Sequence, residues 1–89
     1  MDTTMQKYLA ELFGTFILVL IGTMTIVAAI RLDNPVGVMV PFGFGLGLLA
    51  GLYAFGEVSG GHFNPAVTLA MFIDRRISVR DLVGYWIAQ

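Results

Sequence analysis

Ser59-Gly60-Gly61-His62-Phe63-Asn64-Pro65-Ala66-Val67-Thr68 decides how the rest of the chain is read. The stretch follows an uncharged apolar run, Val38 to Gly56, and opens a shorter one, Val67 to Ile73. Its two glycines permit extended or left-handed backbone. Asn is a strong helix N-cap, and Pro suits the first helical position, where its missing N–H would have no partner anyway. A polar turn between apolar segments is out of place in lipid, which cannot hydrogen-bond bare backbone. Non-helical chain at membrane depth survives only when buried in protein or set against a water-filled cavity. The stretch therefore predicts a re-entrant loop feeding a short half-helix.

The flanking composition agrees with a membrane setting. Apolar residues make up 57% of the chain and charged residues only 12%, about half the charged share of a soluble protein. Tyr8 to Ile30 holds 23 residues and a single charge, Glu11. As a helix it would reach roughly 34 Å, enough to cross a bilayer core. A cleavable signal peptide fits this segment poorly: it is too long, it contains Glu11, and no small-residue cleavage site follows before Arg31. A net charge of −1 gives no reason to expect a nucleic-acid partner, and the absence of cysteine excludes disulfides, thiol chemistry and Cys-based metal sites. No cofactor is expected.

The sequence thus predicts an all-α membrane chain that forms one unit over residues 1–89. Met1 to Gln6 reads as a polar lead in which Asp2-Thr3-Thr4 could cap a helix. A first transmembrane helix is expected over about 7–30, then a polar turn at Arg31-Leu32-Asp33-Asn34-Pro35. A second is expected over about 38–56, with Pro41 tolerated near its first turn. The re-entrant loop is placed at 58–64, the half-helix at 65–73, and a charged connector between Asp74 and Asp81. A third span starts at 82–89. If the loop enters from the cytoplasm, Lys7, Arg75, Arg76 and Arg80 lie inside and Arg31 alone outside, which agrees with the positive-inside rule and makes the N-terminus cytoplasmic.

Several residues carry candidate chemistry. A half-helix capped by Asn64 would aim the positive end of its dipole at the membrane midplane and repel cations. The Asn64 amide could donate to a passing oxygen, orienting a water and interrupting a proton wire. Backbone carbonyls of Ser59, Gly60, Gly61 and His62 could replace the hydration of a solute. Ser59 and His62 have the spacing of a nucleophile and a base, but no orienting group or oxyanion site accompanies them. His62 reads as a structural hydrogen-bonder near the cytoplasmic vestibule rather than a metal ligand. Glu11 is ionisable and lies inside a span, so it either meets a partner or reaches back one turn to water. Gly43, Gly47 and Gly51 form a small-residue ladder for close helix packing. Glu57 belongs either to a solvated vestibule or to a specific contact.

Three motifs, in order, resemble the aquaporin and glycerol-facilitator channels (the major intrinsic protein family), most of all those of bacteria. Asn64-Pro65-Ala66, in its setting, is similar to the family's first NPA box. Ala10-Glu11-Leu12-Phe13-Gly14-Thr15-Phe16 resembles its first-helix pattern, and Gly84-Tyr85-Trp86-Ile87-Ala88-Gln89 the start of its third helix. The resemblance covers nearly the whole chain. It implies the first half of the inverted-repeat channel fold, with the third span truncated. It implies a passive water channel of the plasma (inner) membrane that excludes protons at the NPA region, assembled as a homotetramer with one pore per subunit. By the same resemblance, carbonyls at Ser59 to His62 form a polar stripe, Glu11 accepts hydrogen bonds from loop N–H groups, and small Ala66 admits a second half-helix tip to tip. Phe44, twenty residues before Asn64, takes the place of the helix 2 residue in the narrowest constriction. An aromatic there suits a water-sized filter, whereas glycerol facilitators more often carry Trp; the plainer alternative is a lipid-facing or core Phe.

The second half-helix, its NPA box and the arginine after it are not among the 89 residues. The chain is therefore expected to be the N-terminal part of a longer channel, its main partner being the remaining C-terminal half. Two copies could supply both halves only in opposite orientations, which the Lys/Arg bias opposes. Glycerol or another small neutral solute is the alternative permeant. A non-conducting membrane scaffold is the alternative if the 89 residues are the whole protein, and an intramembrane enzyme using Ser59, His62 and Glu11 has the least support.

Overall fold

The computed structural model describes residues 3–33 and 37–89. Four helices follow in order: α1 Thr3–Arg31, α2 Met39–Ser59, α3 Pro65–Ile73 and α4 Val79–Ala88. The described residues contain no strand. The two long helices, α1 and α2, are of a length and hydropathy that could cross a membrane. At about 1.5 Å per residue they reach roughly 44 and 32 Å, and the molecule is 45 Å along its longest axis.

Helix α1 begins inside the polar lead, at Thr3. Nothing from Thr3 to Gln6 breaks a helix, and the first turns are tied to α4. Tyr8 Oη donates to Asp81 Oδ1 at 2.9 Å, and Arg80 Nη2 donates to Thr4 Oγ1 at 3.2 Å. Asp2, considered above as a cap, and Asn34-Pro35 of the polar turn lie outside the described residues.

Burial runs opposite to that of a water-soluble protein. The buried positions of α1 and α2 are Ala10, Glu11, Gly14, Gly22, Ala29, Gly43, Gly47, Gly51 and Ser59, all small or polar. Large apolar side chains face outward instead, Phe16, Met24, Phe42 and Tyr53 among them. Water would not tolerate an apolar surface of this extent; lipid or further protein would. Small residues at the seam let the two helices approach closely. A Cβ at Gly43 would run into the Thr25 side chain, and one at Gly22 into the ring of Phe44, while Ile21 packs on Gly47. These pairings make α1 and α2 antiparallel neighbours. Thr23 and Thr25 turn their hydroxyls back onto Val19 O at 2.6 Å and Ile21 O at 2.7 Å, so neither presents a bare donor to apolar surroundings.

Helix α2 continues through Ser59. The non-helical turn is therefore Gly60 to Asn64, shorter than the 58–64 expected from sequence. Helix α3 stops after Ile73 with Asp74 as its C-cap; Arg75 then adopts φ 61° and Arg76 N reaches Met71 O at 2.9 Å, a left-handed helix stop. Helix α4 starts at Val79, earlier than Leu82, because Ser78 caps it: Ser78 Oγ accepts from Asp81 N at 3.2 Å. In the connector Arg76 Nε meets Asp74 Oδ2 at 2.7 Å, and that hydrogen bond raises the guanidinium pKa above its ordinary value. Both side chains are exposed, so the pair adds little stability.

Candidate functional site: a re-entrant turn held on a buried carboxylate

The turn is built from left-handed backbone. Gly60 (φ 91°) closes α2 with its N–H on Gly56 O at 2.8 Å, Gly61 has φ 66°, and Phe63 has φ 54°. Glycine takes such angles without cost, whereas an L-residue loses roughly 1–2 kcal/mol. At Gly61 a Cβ would in addition run into Leu52. Gly61→Ala is expected to destabilise the complete chain by about 1–3 kcal/mol, read as a lowered thermal midpoint in detergent; an unchanged midpoint would mean the turn can relax.

Phe63 is the one non-glycine in this conformation within the turn, and packing holds it there. It is 2% exposed. Its ring is wedged between two glycines from different helices: a Cβ at Gly14 would overlap the ring, and one at Gly51 would come within 3.0 Å of Cε2. The wedge places the turn against both long helices.

Glu11 lies under the turn and is fully buried. Its Oε2 accepts from Ser59 Oγ at 2.7 Å and from His62 N at 3.1 Å. Its Oε1 accepts from Phe63 N at 2.9 Å and from Gln89 Nε2 at 2.7 Å. Four donors fill the acceptor capacity of a carboxylate. The ion pairs among the described residues lie at the connector, Arg76 with Asp74 and Arg80 with Asp81. The buried charge is therefore balanced by hydrogen-bond donors, two of them backbone N–H groups that the turn cannot satisfy within itself.

A second set of bonds joins the turn to α3 and α4. Thr68, fully buried in α3, has Oγ1 3.2 Å from Asn64 O, accepts from Gln89 Nε2 at 2.9 Å and lies 3.0 Å from His62 Nδ1. The hydroxyl has one proton to give, to Asn64 O or to His62 Nδ1. With the proton on Asn64 O, His62 donates from Nδ1; with it on His62 Nδ1, that nitrogen accepts and Nε2 carries the imidazole proton. Tyr85 Oη donates to Ser59 O at 2.7 Å, and its ring packs on His62 with centroids 4.9 Å apart. Trp86 Nε1 donates to Pro65 O at 3.1 Å. One end of α4 thus sends three side-chain donors, from Tyr85, Trp86 and Gln89, into the turn and half-helix.

Asn64 caps α3 with extended backbone (φ −160°), and its Oδ1 accepts from Ala66 N at 2.8 Å. Fixing Oδ1 on the helix points Nδ2 away from it. Asn64, Pro65 and Ala66 are exposed, while Ser59 and His62 are buried. Ser59 falls in the last turn of α2, with its carbonyl engaged by Tyr85. Phe44 is not brought to the turn. It lies seven residues before Gly51 on α2, about 10 Å along the axis, with its ring on Gly22. An open cleft of mixed lining, with Lys7, His62, Arg76 and Asp81 beside Val58 and Met71, sits at the connector end. No group of three metal-ligating side chains forms among the described residues.

Phe63, Thr68, Tyr85, Trp86 and Gln89 do not stand out in the sequence as part of this site. A signal exists for α4: Tyr, Trp and Gln within one short apolar segment are donors that lipid would leave unpaired.

Residues 1–89 match the family profile described as Major intrinsic protein. The chain is 54% identical over 85 residues to Glycerol uptake facilitator protein-like 6 of Lactiplantibacillus plantarum. It is 45% identical over 87 residues to Aquaporin Z of Brucella melitensis, and 42% over 87 to Aquaporin Z of Photorhabdus laumondii. Each alignment covers 96% of this chain and 38% of the relative, so the chain spans well under half the length of these proteins. No solved structure matches it.

Proposed function

Because the chain belongs to the major intrinsic protein family, we propose that it builds one side of a passive transmembrane pore for water, the other side coming from the rest of a longer chain. The observation that carries this reading is the turn from Gly60 to Asn64, non-helical backbone between apolar helices, anchored on buried Glu11. Such backbone is tolerated at membrane depth where it is buried in protein or lines a cavity, and here His62 and Phe63 are buried while Asn64 is exposed.

The working parts follow from the bonds. Glu11 takes the His62 and Phe63 N–H groups on one side of the turn. Carbonyls of Gly60, Gly61 and His62 then serve as acceptors along the solute path. The Ser59 carbonyl, held by Tyr85, has one lone pair left for that stripe. At the tip of α3, Ala66 N is already satisfied by Asn64 Oδ1 and Pro65 has no N–H. Asn64 Nδ2 is the side-chain donor at this tip for a permeating oxygen. A water accepting from it turns its own hydrogens away, which breaks a proton wire, and the positive end of the α3 dipole opposes cations. Helices α1 and α2 serve as spans and α4 as the start of a third. The N-terminus is cytoplasmic, the membrane is the plasma (inner) membrane, and four copies assemble.

A glycerol or small neutral solute pore is the second reading, favoured by the 54% identical relative named as a glycerol uptake facilitator. The aromatic Phe44 favours water. Stopped-flow light scattering on proteoliposomes of the complete chain separates the two. Water flow well above that of empty vesicles, with glycerol excluded, is the expected result. Rapid glycerol re-swelling would replace the first reading by the second, and no flow of either would leave a scaffold.

A further inference from the structure

Gly22 is buried in the middle of α1, and the ring of Phe44 lies directly on it. A Cβ at Gly22 would fall among Phe44 Cδ1, Cε1 and Cζ, 2.6 Å from the last. Helical conformation does not require glycine here; α1 is continuous through this position, and glycine inside a helix is less favourable than alanine. What glycine supplies is a trough for an aromatic ring. Along the same seam Thr25 occupies the notch at Gly43, and Ile21 packs on Gly47. A methyl group at Gly22 would overlap the ring, so the ring would have to shift off α1, and Phe44 is only half buried.

We propose that Gly22 is a specificity-positioning residue: it seats the Phe44 ring against α1 and so fixes how far that ring projects into the solute path. The inference rests on the reading of Phe44 as a constriction residue. Phe44 lies about 10 Å along α2 from Gly51, which packs on Phe63 beside Asn64. The trough thus acts at a level separate from the half-helix tip. Close packing transmits a displacement of this kind rather than absorbing it.

The test is a mutant cycle in proteoliposomes of the complete chain, with water and glycerol as probes and flow expressed per assembled copy. Phe44→Ala tests the underlying reading: it should admit glycerol, and if it changes neither water nor glycerol flow, Phe44 is not a constriction. Gly22→Ala tests the inference. It should lower water permeability about tenfold, the effect of one misplaced methyl group in a tight apolar passage, and should have no effect once Phe44 is Ala. If Phe44→Ala admits glycerol while Gly22→Ala leaves water flow unchanged, or lowers it equally in both backgrounds, Gly22 does not act through the ring. Should Gly22→Ala fail to assemble, Gly22→Ala/Phe44→Leu is compared with Phe44→Leu alone: the shorter side chain must still shift, so reduced flow supports the proposal and equal flow overturns it.

Discussion

Glu11→Leu should abolish both stable assembly and permeability of the complete chain. The leucine leaves three donors without an acceptor, Ser59 Oγ, His62 N and Phe63 N, and removes one of the two acceptors of Gln89 Nε2, which keeps Thr68 Oγ1. Each buried unsatisfied donor costs roughly 1–3 kcal/mol. Three such donors together reach the lower part of the roughly 5–15 kcal/mol by which a domain is stable. The two backbone donors matter most, because the hydroxyl and amide side chains can turn elsewhere and the N–H groups of His62 and Phe63 cannot. Glu11→Gln should be milder. One oxygen is retained, while the new NH2 faces two donors, so part of the turn loses its anchor and flow falls with less loss of stability. Thermal unfolding in detergent, with water permeability normalised to assembled protein, reads both effects. A carboxylate that merely reached back to water would make Leu neutral or stabilising; unchanged stability and flow in Glu11→Leu would establish that and remove the anchor.

Phe63→Ala ranks second, with an expected loss of about 3–5 kcal/mol. The ring fills the space between Gly14 and Gly51, and no other side chain from the turn can reach it. Alanine would also keep the left-handed strain of φ 54°. Phe63→Gly removes that strain yet leaves the cavity, so it should recover only a fraction. The complementary change, Gly14→Ala, overpacks the same contact and should cost about 1–3 kcal/mol. In combination the two should cost less than the sum of the single changes, because the alanine methyl enters space the ring has vacated. A Phe63→Ala protein within half a kcal/mol of wild type, by denaturant or thermal unfolding, would show that the wedge is dispensable.

Much of the turn is readable in the sequence because each local signal has a single strong cause. Asn64-Pro65 marks a helix start through cap chemistry, and α3 starts there with Asn64 Oδ1 on Ala66 N. Gly60-Gly61 marks backbone that other residues avoid, and both glycines have positive φ. Glu11 draws notice because a carboxylate inside a span needs partners, although which atoms supply them is a matter of three-dimensional assembly. The Phe63 wedge is not readable in this way. One phenylalanine in an apolar chain carries no periodic signal, and its role depends on Gly14 and Gly51, which are distant in sequence. Tyr85, Trp86 and Gln89 are hidden for a related reason: they read as the apolar start of a span, and their donors find acceptors only once α4 is laid against the turn. The start of α4 was obscured by the charged connector, although Ser78 with Asp81 three residues on carries the capping signal.

If this turn and half-helix, held by Glu11, line a pore, the pore should pass neutral molecules without carrying protons. Osmotic water flux and proton leak should be measured together on the same proteoliposomes of the complete chain, by light scattering and an entrapped pH-sensitive dye. Water flux far above that of protein-free vesicles, with proton leak no greater than theirs, is the outcome expected. Water flux equal to that of protein-free vesicles, at a protein density confirmed by quantitation, would be incompatible with a pore of any kind built on this turn.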